Sequence, residues 1–155
     1  MNIRKDRPLG KFFEEFEVGQ KMISRGRTIT EADIMQFGTL TGDFNPMHFD
    51  AAYMQDHLLG QRVAHGMLTV SYAVGQAYQL GFMEQTVLSF RSIEMKFSIP
   101  VFIGDTVHVE IEVTATKPAR RLGGGIVTFD VRIVNQQGKA VQKGTWTVLM
   151  ASRPD

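Results

Sequence analysis

"MLTVSYAVGQAYQLGFM", residues 67–83, is the stretch on which the fold turns. It is the longest candidate helix in the chain, and its apolar residues do not keep to one side. Leu68, Val70, Tyr72, Ala73, Val74, Ala77, Tyr78 and Leu80 point in every direction around a helical axis. A helix that is apolar all round is buried on most of its faces. The chain must therefore supply something to wrap it.

The C-terminal half supplies the wrapper. From Val107 to Thr116 the alternation is strict: Val107, Val109, Ile111, Val113 and Ala115 on one face, His108, Glu110, Glu112, Thr114 and Thr116 on the other. Val127, Phe129, Val131 and Ile133 repeat the pattern, as do Ile93, Met95 and Phe97 before them and Trp146, Val148 and Met150 after them. Period-two alternation marks half-buried antiparallel strands. Gly104-Asp105, Gly123-Gly124-Gly125 and Gln137-Gly138 read as the turns between them, the triple glycine as a hairpin rather than a phosphate loop. A sheet with one apolar face needs a cover and an apolar helix needs a cradle. The prediction is an α+β domain, a curved antiparallel sheet wrapped around one long central helix, which is the hot-dog arrangement.

Ahead of the helix, residues 1–20 read as an irregular lead-in pinned by Phe12, Phe13 and Phe16, and residues 21–28 as a short strand. Thr30 has an acidic residue three positions on, which is a helix N-cap signature. Ile34, Phe37 and Thr41 follow at helical spacing, and Gly42 is a natural stop. Residues 50–57 read as a second short helix opened by an acidic cap. The whole, residues 1–155, is one domain.

Composition narrows the function. Apolar residues make up 43% of the chain and charged residues 21%, as in an ordinary globular protein. Seventeen basic against sixteen acidic residues leave a formal charge of +1, with no basic stripe for nucleic acid. The absence of cysteine removes disulfides, thiolate metal sites and cysteine nucleophiles together. With neither a signal-peptide pattern nor a membrane-length apolar run, the expectation is a cytoplasmic protein that binds neither membrane nor nucleic acid.

The chemistry is concentrated in "LTGDFNPMHFDAAY", residues 40–53. Asn45-Pro46 forces an extended or turn conformation, and a turn between Asp43 and His48 can bring both side chains to one point. A carboxylate beside an imidazole moves protons near neutral pH. A second stretch, "RVAHGMLTV", puts Gly66 at the start of the long helix, where the first N–H groups lack intrahelical partners and suit an anionic oxygen. An isolated Asp-x4-His, or an isolated His-Gly before a helix, is more often a turn and a cap. Together they make a proton-handling pair facing an oxyanion donor.

"FGTLTGDFNPMHFDAAY", "AHGML" and "MKFSIPVFIGDTVHVEIEV" resemble the hydratase motif, the helix start and a strand pair of the MaoC-like, (R)-specific enoyl-CoA hydratase family of the hot-dog superfamily, over roughly residues 26–148. The resemblance implies Asp43 and His48 as the catalytic pair that activates water, the Gly66 amide as donor to the thioester oxygen, and Asn45 as an orienting helper. It also implies a serine on the central helix that holds the aspartate. Val74 stands at the place assigned to that serine, and Ser71 is the substitute. His65, Met67 and Phe44 complete the supporting or substrate-binding set, with Met35, Met47, Met54 and Met83 as further candidates for an apolar acyl pocket. Arg62, Arg91, Lys96, Lys117, Arg120 and Arg121 are the candidates for binding phosphates of coenzyme A. The expected partner is an acyl-CoA thioester, with no separate cofactor and no metal. A metal held by His48, His57, His65 and His108, a hot-dog thioesterase, and a non-catalytic acyl-CoA-binding module are the competing readings. A short curved sheet leaves edges that tend to be paired, so the chain is expected to form at least a homodimer.

Overall fold

The computed structural model describes residues 10–154, so the first nine residues of the expected lead-in lie outside the described part. In chain order its elements are β1 (Lys21–Ile23), β2 (Arg27–Thr28), α1 (Glu31–Thr41), α2 (Pro46–Phe49), α3 (Ala51–Gln55), α4 (Gly66–Gln79), β3 (Val87–Phe97), β4 (Thr106–Ala119), β5 (Gly124–Asn135) and β6 (Ala140–Ala151). The strands form one antiparallel sheet in the order β1-β4-β5-β6-β3, with β2 also pairing β4. The strand expected over residues 21–28 is broken at Ser24, whose Oγ accepts from the Val109 N–H at 2.9 Å while its own N–H donates to the Val109 carbonyl. The triple glycine divides: Gly123 turns in the left-handed region at φ 77°, and Gly124 and Gly125 already belong to β5.

The alternating residues do what their spacing predicts. Val113 of β4 stands opposite Phe129 of β5, and Phe129 opposite Trp146 of β6. All three are 1% exposed or less, as are Val107, Val109, Val127, Val131 and Ile133. Leu68, Ala73 and Ala77 of α4 bury themselves against this face. Phe16 closes one end of the core, with Phe82 and Phe129 rings edge-on at 6.1 and 5.9 Å.

The sheet covers most faces of α4, as its composition implies, and leaves one open. Met67, Ser71, Gly75 and Tyr78, at spacings of four, four and three, form an outward stripe, with Met67 56% and Tyr78 50% exposed. The sheet has the matching gap. Ile93 of β3 lies directly opposite the fully buried Trp146 and so shares its face, yet it is 43% exposed. The helix cover runs out before it reaches β3. The outer edge of β3 has no partner strand among the described residues. Nor, among them, is any helix long and apolar enough to cross a membrane.

Leu68 is the α4 side chain that keys the helix into the sheet. Leu68→Ala is expected to cost about 2–5 kcal/mol, read as a lower denaturant midpoint at unchanged transition slope.

Candidate active site

The turn that carries the site is built from side chains bonding their own backbone. Thr30 and Asp33 cap α1 reciprocally, the Thr30 N–H donating to the Asp33 carboxylate at 2.8 Å and the Asp33 N–H to the Thr30 hydroxyl at 3.3 Å. Gly42 ends the helix at φ 78°, a backbone that costs an L side chain about 1–2 kcal/mol. The Asp43 carboxylate then accepts from the Asn45 N–H at 3.2 Å, and the Asn45 side-chain oxygen accepts from the Met47 N–H at 3.2 Å. With Pro46 at its first position, α2 starts there and carries His48 inward.

His48 is 7% exposed, and its Nδ1 lies 2.8 Å from the Val63 carbonyl oxygen. A carbonyl can only accept, so Nδ1 carries the proton and Nε2 keeps its lone pair. That nitrogen lies 4.0 Å from the nearer Asp43 carboxylate oxygen. The gap is too long for a direct hydrogen bond and short enough for one water oxygen to touch both groups. Burial pushes the His48 pKa below its ordinary value. The Val63 bond opposes that shift, the neighbouring His65 adds to it, and Asp43 works against it.

Across the site, Gly66 is the first residue of α4 and so has no intrahelical acceptor for its N–H. Among the described residues no loop carbonyl takes one's place. Gly66 and His48 line the same cavity of about 380 Å³, together with Met47, Leu59, Thr69, Phe97, Ile99 and Gln142. A side chain at Gly66 would stand 2.6 Å from the Phe97 ring, so glycine is required by close approach. Gln142 ties sheet to helix here, its Nε2 donating to the Gly66 carbonyl at 3.1 Å.

The expected supporting residues fare unevenly. His65 belongs to the site: 2% exposed, it stacks on His48 with centroids 3.8 Å apart. Asn45 spends its side-chain oxygen on capping α2 rather than reaching toward the cavity. Ser71 does not hold Asp43; its hydroxyl donates to the Met67 carbonyl one turn back at 2.7 Å. Val74 is half-buried against the core. Met67 faces outward, and Phe44 is 55% exposed with its ring on Phe49 at 5.1 Å. Of the methionines, Met47 lines the cavity, Met54 and Met83 are core, and Met35 is exposed. Arg62 is committed to a two-pronged ion pair with Glu31.

Four histidines do not converge. The His57 Nδ1 accepts from the Leu59 N–H, and His108 lies beside Glu110 on β4. Asp43, His48 and His65 do offer donor atoms within 4.8 Å of one another. A cation fits them poorly, because the two rings are only 26° from parallel. Lone pairs lie in the ring planes and so run alongside each other instead of meeting at one point.

Two residues escaped the sequence reading although one had left a signal. Gln142 occupies the inward phase of β6 with Trp146, Val148 and Met150, a polar residue where the alternation calls for an apolar one. Val63 left none, since its contribution is a main-chain carbonyl.

Comparison with known proteins places the chain in a family. The model of the MaoC like domain matches residues 14–135, so the chain belongs to the MaoC-like domain family. The (R)-specific enoyl-CoA hydratase of Rhodospirillum rubrum is 34% identical over 143 residues, covering 92% of this chain and 93% of that one. Protein MaoC of Klebsiella aerogenes is 34% identical over 104 residues, 67% of this chain, and the chain spans only 31% of that longer relative. Among solved structures, the MaoC-like dehydratase from Rhodospirillum rubrum superposes with a TM-score of 0.83 at 29% identity, covering 94% of this chain and all of that one. A Mycobacterium tuberculosis protein described as a double hotdog fold superposes at 0.79 with 18% identity, covering 94% of this chain and 46% of that one. The fold is the hot-dog.

The site makes a testable statement about His48. By 15N-detected NMR it is expected to show the Nδ1–H tautomer and to titrate below 6.5. The unfolded chain then binds more protons at this ring than the folded one, so stability is expected to fall as pH drops below about 6.5. Replacing His48 with Gln should flatten that part of the stability profile.

Proposed function

We propose that this protein catalyses the reversible (R)-specific hydration of a trans-2-enoyl-CoA to an (R)-3-hydroxyacyl-CoA. The observation that carries the reading is the 4.0 Å gap between the Asp43 carboxylate and the bare His48 Nε2, with His48 and Gly66 both lining one largely apolar cavity. The named activity of the hydratase from Rhodospirillum rubrum supports it. Water held between the two side chains forms a bond from its oxygen to C3 as the C2–C3 double bond opens. One water proton passes to the pair and the pair delivers a proton to C2, so both residues end as they began. The oxygen charge that develops on the thioester is met by the Gly66 N–H. A positioned proton-handling pair contributes about 10²–10⁴ in rate, and one oxyanion donor about 3 kcal/mol. The reaction as written calls on no metal and no cofactor beyond the coenzyme A of the substrate.

Asp43→Asn and His48→Gln are each expected to lower hydration of crotonyl-CoA by at least 10²-fold, followed as loss of enoyl absorbance. Free thiol released at the same rate would instead mark a thioesterase. Wild-type protein that hydrates no enoyl-CoA, or variants that keep full activity, would remove the assignment.

We also propose that two copies associate through β3 and the outward stripe of α4. Each leaves apolar surface that the chain itself does not cover, Ile93 and Phe97 on the strand, Met67 and Tyr78 on the helix. An unpaired strand edge invites a second strand. Light scattering at micromolar concentration is expected to give at least a dimer mass, and a monomer mass would contradict it.

A further inference from the structure

His65 touches both members of the pair that the reaction names, Asp43 and His48. Its ring nitrogen Nε2 lies 3.0 Å from the main-chain carbonyl oxygen of Asp43. The carbonyl only accepts, so Nε2 carries the proton. The same ring lies flat on His48, 3.8 Å between centroids. Phe37 of α1 and Phe49 of α2 close around its edges at 5.0 and 5.7 Å. In the chain, His65 is the residue immediately before Gly66 and stands at the N-cap of α4, yet its side chain makes no capping bond there. A cap would be the ordinary use of a polar side chain at this position. Here the ring turns away from its own helix and across to the opposite loop. Its Nδ1 is buried and meets no hydrogen-bond partner among the described residues, so packing and the single Nε2–H bond set the ring's place.

We propose that His65 is the positioning residue of this site: through its Nε2–H bond to the Asp43 carbonyl and its stack on His48, it sets the acid, the base and the Gly66 amide at fixed mutual distances. The inference rests on the hydratase reading, and it adds a role to a residue that need not touch the substrate. The three groups come from three separate elements: the loop after α1, helix α2 and the start of α4. His48 is aimed from one side by the Val63 carbonyl, which fixes the ring's tautomer but leaves it free to tilt about that bond. The His65 face stops the tilt. Asp43 is exposed at its carboxylate, 51%, and its N–H and carboxylate are bonded within its own turn, to the Thr41 hydroxyl and the Asn45 N–H. The bond from His65 ties that turn to the start of α4. Placement errors of about 1 Å in such a constellation cost on the order of 10²-fold in rate.

Two variants separate the two contacts. His65→Phe keeps a flat ring and loses the donor. His65→Gln keeps a donor and loses the stack. Each is expected to lower kcat for crotonyl-CoA by ten- to a hundredfold with KM changed less than threefold. A contact that merely stabilises the fold would leave kcat alone in protein that remains folded. A second readout is the acid limb of the rate profile. The titratable side chains whose charge reaches His48 are Asp43 from the loop and His65 from α4. With His65 replaced by Phe, the downward push on His48 is removed and the upward push from Asp43 stays. The acid limb is then expected to move to higher pH.

The NMR titration of His48 gives the same shift without any turnover. Should the wild type hydrate no enoyl-CoA, the functional reading fails while the titration still decides the role of His65. Unchanged kcat in both folded variants, or a His48 titration and tautomer identical to wild type in His65→Phe, would overturn the proposal. Where His65→Phe does not fold, the kcat and titration of His65→Gln decide it in the same way.

Discussion

A single main-chain carbonyl sets the chemistry of this fold. Val63 lies in an extended segment held by backbone bonds on both sides: its own N–H reaches the Met47 carbonyl at 3.1 Å, and the Ala64 N–H reaches the Val101 carbonyl at 2.7 Å. A short bridge to Phe102 pins it further. With the segment fixed, its carbonyl takes the proton-bearing nitrogen of His48, and the other nitrogen is left bare and facing Asp43. Turn the carbonyl away and the ring could present either nitrogen to the cavity. The site is thus selected by the tautomer that the backbone imposes, and the backbone is in turn held by the strand connection between β3 and β4.

Desolvation and pairing pull His48 in opposite directions, and burial wins. A ring kept neutral near neutrality is free to accept a proton. The Asp43 carboxylate, half exposed, keeps its contact with solvent. The two groups of the pair thus differ first of all in depth.

Much of this was legible in the chain. Strict alternation over Val107–Ala115 and over Val127–Ile133 located two central strands, because a sheet buried on one face writes period two into its residues. The Asp43–His48 turn was legible because glycine, asparagine and proline each restrict the backbone in a known way. Asn45 was expected to orient water or loop backbone, and its side-chain oxygen does hold loop backbone, accepting from the Met47 N–H two residues on. The apolar pattern of α4 marked it as the buried central helix, and one stripe of it still faces out. Hydropathy records which faces meet something apolar, not whether the apolar partner belongs to the same chain. Ile93, opposite a fully buried tryptophan yet itself half open, carries the same ambiguity on the sheet. Val63 could not be found from side-chain identity at all.

Leu58 and Leu59 sit side by side between α3 and the Val63 segment, one 97% exposed and the other on the cavity wall. Leu59 belongs to a loop, whereas Phe97 and Gln142 of the same wall belong to β3 and β6. Loop side chains shift more readily than those anchored in a sheet, so the wall yields first at position 59.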